Sequence, residues 1–150
     1  MASASPPPPD EAHQRPDGAS DELVAAVGKL SEAFEWVERV RGRLFDFHQM
    51  MGRADFLFED AADALDAAGA HEHARVVREE VVGRNVLRGR WTFQIVEEFE
   101  DCYYEPVREL DRSVRDALMD GRRHVFEAEL KEQRRTRGHP EHASRPGGGR

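Results

Sequence analysis

The sequence predicts an all-α fold, an elongated bundle of three long helices and one short helix. Three observations carry this. Between positions 21 and 51, apolar residues recur at alternating steps of four and three, the spacing of a helix that buries one narrow stripe. Charged residues make up 35% of the chain and the apolar set 39%, a mix suited to helices with one greasy face and one wet face. The one stretch that alternates like a strand, Trp91-Thr92-Phe93-Gln94-Ile95, finds no second stretch to pair with.

The first helix is expected over residues 21–51. Leu23, Val27, Leu30, Phe34, Val37, Arg41, Leu44, His48 and Met51 form its seam, interrupted only by Arg41 and His48. Ser20 suits the N-cap, and Asp21 and Glu22 place negative charge where the helix dipole favours it. Gly52 is read as the residue that ends the helix, giving a rod roughly 45 Å long. A short helix follows over 53–68. Phe58, Ala61, Leu65 and Ala68 form its stripe, with Leu57 and Ala62 beside it, and Glu59, Asp60, Asp63 and Asp66 form most of its wet face. Gly69 closes it, and the short Gly69-Ala70 break implies an antiparallel hairpin with what comes next.

Residues 71–105 admit two readings. Val82, Val86, Gly89, Phe93, Val96, Phe99 and Tyr103 nearly keep the seam spacing of one long helix. Gly83 and Gly89 would each cost that helix about 1 kcal/mol, so the alternative breaks it near 83–90 and restarts it at Trp91. Pro106 implies a boundary or kink, because proline lacks the N–H that a helix interior needs. Val107, Leu110, Val114 and Leu118 then line the third long helix. Val125, Phe126 and Leu130 extend it past Asp120-Gly121, a pair that reads either as a brief turn or as a weak point within a helix ending near Arg137.

The ends are different. Residues 1–19 contain five prolines and little to bury, and residues 138–150 are rich in Gly and Pro; both are expected to be disordered. The bundle domain is then 20–137, about one ordinary domain. A first helix longer than its neighbour must still cover its stripe, which favours a homodimer or a protein partner.

Composition excludes several function classes. No run approaches the ~18 apolar residues of a membrane span. A formal charge of −8 repels phosphate, so a nucleic-acid partner is not expected. The single cysteine, Cys102, excludes an internal disulfide framework. A lone thiol, with no basic and apolar leader at the N-terminus, makes the cytoplasm the expected location. Twenty of the 22 basic residues are Arg, which reflects GC-rich codon usage and weakens any single Arg as a functional signal.

The search for chemistry gives no catalytic set, no metal set and no cofactor motif. The residues three places before the seven histidines are Asp10, Phe45, Ala68, Ala70, Gly121, Thr136 and His139. None is Glu, so the Glu-x-x-His pattern of di-iron bundles is absent. His71-Glu72-His73 would point its two imidazoles to opposite sides of a helix. Glu35-x-x-Glu38 and Asp60-x-x-Asp63 look like the acidic pairs of Mg²⁺-dependent helical pyrophosphohydrolases, but such pairs are frequent by chance in so acidic a chain. Cys102 lies between Asp101 and Tyr103, and an acidic neighbour does not activate a thiol.

Two clusters remain. Arg41 and His48 occupy seam positions, where they read either as a polar pair fixing register or as a site at the bundle centre. The stretch 83–91 combines Arg84, Asn85, Arg88 and Arg90 with Trp91, and both tyrosines, Tyr103 and Tyr104, follow shortly after. Its arginines could grip an anion while Trp91 stacks on a planar group; the plainer reading is a glycine-relieved crossing whose arginines pair with nearby acids. The basic stretch 122–137 lacks the interleaved aromatics of a nucleic-acid reader.

The stretches AVGKLSEAFEWVERVRGRLFDFHQMMGRAD (26–55), GRNVLRGRWTFQIVEEFEDCYY (83–104) and GRRHVFEAELKEQRRTRG (121–138) resemble a family of small actinobacterial helical proteins with no assigned activity; GRWTFQIVEEFE is the distinctive phrase. The resemblance implies an actinobacterial source and a soluble helical protein, and carries over no site residue. The function expected is that of a non-enzymatic, self-associating helical interaction protein. The alternative is a small-anion-binding or enzymatic helical bundle that uses its central His/Arg/Trp cluster.

Overall fold

The computed structural model describes residues 7–144. Among these the chain is all-helical, without a named strand. Its helices are α1 (Asp21–Ala67), α2 (His71–Glu80), α3 (Thr92–Phe99), α4 (Glu105–Met119) and α5 (Val125–Arg134). A π-helical turn, Glu100–Tyr104, joins α3 to α4. The chain divides into two compact units, residues 7–35 with 107–144, and residues 36–106.

The division into helices differs from the expected three long and one short. α1 is one helix of 47 residues and does not stop at Gly52. Glycine costs a helix about 1 kcal/mol but leaves its hydrogen bonds intact, and strong helix formers flank this one. Ser20 caps α1 as expected, its Oγ accepting from Leu23 N–H at 3.1 Å. At the other end Gly69 takes φ +82°, and Ala70 N–H donates to the Leu65 carbonyl at 2.8 Å, a left-handed stop open to glycine.

Between α2 and α3 the chain breaks at 81–91, the second of the two readings of that region. Gly83 and Gly89 have φ of +72° and +70°, conformations that a residue with a Cβ resists. A bridge between Leu87 and Arg90 folds the tip back. Pro106 does not end a helix. Glu105 N–H reaches back to the Glu100 carbonyl, and this wider turn absorbs the bond that proline cannot make and the clash of its ring.

The first unit packs Val24 and Val27 of α1 against Met119 and Val125, with Ala19, Leu23 and Val114 around them. Gly28 allows this approach, since a Cβ there would lie 3.0 Å from Phe126 Cβ. Asp111 is buried but satisfied, accepting from Ser31 Oγ at 2.8 Å and from Arg115 Nε at 2.9 Å. The expected disordered N-terminus makes specific contacts in its described part: Arg15 donates to both carboxylate oxygens of Glu129 on α5, at 2.6 and 2.7 Å. Arg122 also donates to the Gln14 carbonyl at 2.8 Å. This two-pronged pairing, with Asp21 added, raises the Arg15 pKa. Composition does not register such pairings. Residues 138–144 include a 3-10 turn at Pro140–His142. The rest of both expected disordered ends, 1–6 and 145–150, lies outside the described residues.

In the second unit α2 folds back on the end of α1. Arg78 bridges Asp63 and Asp66 at 2.6 and 2.5 Å, and that guanidinium, with His71, holds the Asp66 carboxyl below the ordinary carboxylate range. Ala62 and Ala74 are fully buried. The stripe expected from Phe58, Ala61, Leu65 and Ala68 is therefore displaced: Ala62 is the covered position and Phe58 stays 45% exposed. Small side chains are the ones that a close approach of helices covers completely, and the larger Phe58 and Leu57 stay partly in water.

Two glycine substitutions of opposite sign test this packing. Gly52→Ala, with open space where its Cβ would stand, raises stability by about 0.5–1 kcal/mol in urea unfolding. Gly28→Ala forces Phe126 aside and lowers it by roughly 1–3 kcal/mol.

Candidate functional site

The second unit carries an open cleft of about 400 Å³. One wall is the stretch of α1 bearing Met51, Gly52, Ala54, Asp55 and Phe58. The other is the turn after α2, with Val81, Gly83, Arg84, Asn85 and Val86, closed by Trp91 and Thr92 at the start of α3. Local chemistry sets both walls. Asp55 accepts from the Gly83 N–H at 2.8 Å, tying the turn to α1. Gln94 Oε1 accepts from Trp91 N–H at 3.0 Å, while Gln94 N–H donates to the Trp91 carbonyl at 3.2 Å. This reciprocal pair fixes the first turn of α3 and hence the position of Trp91.

Of the nine candidate residues, Arg84, Asn85 and Trp91 line the cleft. His48 meets it indirectly, through a 2.7 Å hydrogen bond between its Nδ1 and Thr92 Oγ1. The other five lie outside the lining. Arg41 donates twice to Glu100 Oε1, at 2.9 and 2.7 Å, and its guanidinium lies over the Tyr104 ring at 4.6 Å. The bond to Glu100 raises the Arg41 pKa. Tyr104 is buried and donates to Glu38 at 2.8 Å. Tyr103 is exposed and packs its ring against Phe99 at 5.8 Å. Arg90 pairs with Glu98. Arg88 is exposed on the turn.

Arg41 and His48 are thus not a mutual pair. One seam position clasps the π-helical turn, the other the start of α3, and both distribute polar contacts along the seam. Sequence reading missed the α1 wall. Met51 and Phe58 look like ordinary stripe residues and Asp55 like one acid among many; only the fold places them opposite Arg84 and Trp91.

Arg84 keeps its head toward solvent, its side chain 70% exposed and its Nη1 donating to the Glu80 carbonyl at 3.2 Å. Trp91 is 58% exposed. A planar donor, a carboxamide and an indole face thus surround an apolar floor, with the Asp55 carboxylate engaged by backbone. Such a cleft can take an apolar or planar group and hold one negative charge at its edge. Comparison of the chain with family models, with curated proteins and with solved structures finds no match. Among the described residues no helix is long and apolar enough to cross a membrane.

The polar clasp on the π-helical turn is testable. Arg41→Ala removes two bonds to Glu100 and the contact with Tyr104, and lowers the unfolding free energy by about 1–3 kcal/mol. Hydrogen exchange over 100–105 speeds up more than exchange over α5.

Proposed function

We propose that this protein is a helical interaction protein that acts without catalysis and self-associates through its second unit. One observation carries the reading. Twelve large apolar side chains of that unit are exposed: Trp36, Val40, Met50, Phe56, Leu57, Phe58, Val76, Val86, Leu87, Trp91, Phe93 and Tyr103. Phe56 is 65% exposed and Met50 64%. Grouped apolar surface of this kind marks a contact surface. Several of these residues cluster in sequence along α1 and along 86–93, the two stretches that supply the cleft walls.

The occupant proposed is a second copy of this chain. The same surface carries both signs of charge, with Glu59 and Asp60 exposed beside Phe58 and Arg84 and Arg88 exposed beside Val86 and Leu87. A surface that presents apolar side chains, acids and arginines together is complementary to itself about a two-fold axis, where each patch meets its opposite. Trp, Phe and Arg are also the residue types that concentrate binding energy. A cytoplasmic location belongs to this reading and rests on the lone thiol.

Light scattering behind gel filtration checks it. The expected mass on the order of 50 μM protein is twice 17.1 kDa. Phe56→Asp with Leu57→Asp moves the chain to monomer without loss of helical circular dichroism. Native protein that stays monomeric at that concentration rejects the proposal.

A second reading rests on the cleft, a small-anion site built on Arg84, Asn85 and Trp91. It predicts that a planar aromatic carboxylate quenches Trp91 fluorescence saturably and that Arg84→Ala weakens this by about tenfold. Quenching identical in the variant removes it.

A further inference from the structure

Di-iron bundles place a Glu three residues before the His on one helix face. The reverse order, His124-x-x-Glu127, stands at the start of α5, inside the first unit. α1 brings a third ligand to it. The ligand atoms of Glu35, His124 and Glu127 all lie within 4.8 Å of one another. From this geometry we infer that Glu35, His124 and Glu127 bind a divalent first-row transition cation, with water completing its shell.

The fold builds the juxtaposition. Gly28 permits the backbone of α1 to approach Phe126 closely. Glu35 lies two turns further along α1, on the same side of the helix as Gly28. His124 and Glu127 flank Phe126 on the other element. One rigid contact thus sets the separation of donors that are far apart in sequence.

Among the described residues no hydrogen bond or ion pair engages the three side chains. His124 is the N-cap residue of α5 but makes no capping hydrogen bond. Glu127 occupies the third helical position without closing a capping box. Most acids that face an arginine elsewhere in the chain are paired with it, as Glu100, Glu129 and Asp66 are. Here two carboxylates and an imidazole converge, and among the described residues no arginine or lysine is bonded to any of them. A cation would relieve the repulsion between the carboxylates and use the imidazole as its directional ligand.

Ligand chemistry selects the ion class. One imidazole nitrogen with two carboxylates suits Zn²⁺, Co²⁺ or Fe²⁺, whereas Ca²⁺ and Mg²⁺ prefer oxygen donors alone. At metal–ligand distances of about 2.1 Å, opposite donors stand about 4.2 Å apart or less. Neighbouring donors of a tetrahedral or octahedral ion stand only about 3–3.4 Å apart, so the three exposed side chains close by roughly 1–2 Å on binding, a shift open to their rotamers.

The experiment uses the full chain, stripped with a chelator, and titrates Co²⁺ by absorption and Zn²⁺ by calorimetry and by thermal melting. The expected result is one saturable equivalent per chain, with Zn²⁺ displacing Co²⁺ and raising the melting temperature. His124→Gly weakens binding by roughly tenfold or more. Glu35→Gln and Glu127→Gln each weaken it as well. His124 has φ +55°, so glycine there keeps the metal-free protein folded, and loss of binding is not loss of fold. Two controls, His71→Ala with His73→Ala and His139→Ala with His142→Ala, leave affinity unchanged. Absence of saturable binding at millimolar metal overturns the inference. So does full affinity in His124→Gly, or affinity that disappears in either control.

Discussion

One face of α1 has to be shielded from water along most of its length, and the other described elements are arranged around that requirement. The seam from Leu23 to Met51 is buried or half-buried at every one of its nine positions. Positions between them, such as Lys29, Glu32, Arg39 and Gln49, are exposed. In the first unit the shield is Met119 and Val125 with the Ala19 end of the N-terminal segment. In the second unit the seam carries Arg41 and His48, so the covering elements answer with Glu100 and Thr92. A seam of mixed character can be covered only by partners that match it position by position, which is why register here is set by polar contacts as much as by apolar ones.

The apolar core is thin. Among the described residues eight apolar side chains are buried, and two of these are alanines. Burial at ~25 cal/mol per Å² then contributes less than in a chain with large side chains inside. Arginines supply what the core does not. Arg15, Arg41, Arg78 and Arg115 each tie residues that are separate in sequence or bury a carboxylate. Exposed pairs are worth about 0–1 kcal/mol each, so the partly buried, two-pronged ones matter most. This gives the arginine bias a structural outcome. Among the described residues, Arg15, Arg41, Arg43, Arg75, Arg78, Arg90, Arg112, Arg115 and Arg135 are each ion-paired with a carboxylate of the same chain.

The residues left open are therefore informative. Arg88 on the turn, Trp91 at the start of α3 and the exposed aromatics of α1 are groups that the fold presents instead of consuming, and Arg84, held at one nitrogen by Glu80, keeps most of its side chain in solvent. The Gly83–Trp91 stretch was legible in the sequence as a dense cluster of donors and rings, and five of its members, Gly83, Arg84, Asn85, Val86 and Trp91, do line one cleft. Tyr104, in contrast, is a structural residue clamped between Arg41 and Glu38. Nothing in local sequence distinguishes it from Tyr103, its exposed neighbour. A π-helical turn rotates successive side chains by less than an α-helical one, and that rotation assigns one ring to the interior and the other to solvent.

The sequence by itself determined the helical class, the identity of the buried face of α1 over residues 23–51, the Ser20 cap and the glycine stop at Gly69. These are local matters, governed by a 3.6-residue period and by the φ that each residue type tolerates. Tertiary structure alone decided that α1 runs on through Gly52, that Pro106 is absorbed by a π-helical turn, and that Ala62 is covered while Phe58 is not. It also decided which arginines are bound and which acids face His124. Each of these depends on a partner distant in the chain, and local propensities of about 1 kcal/mol per residue are small enough for such partners to override.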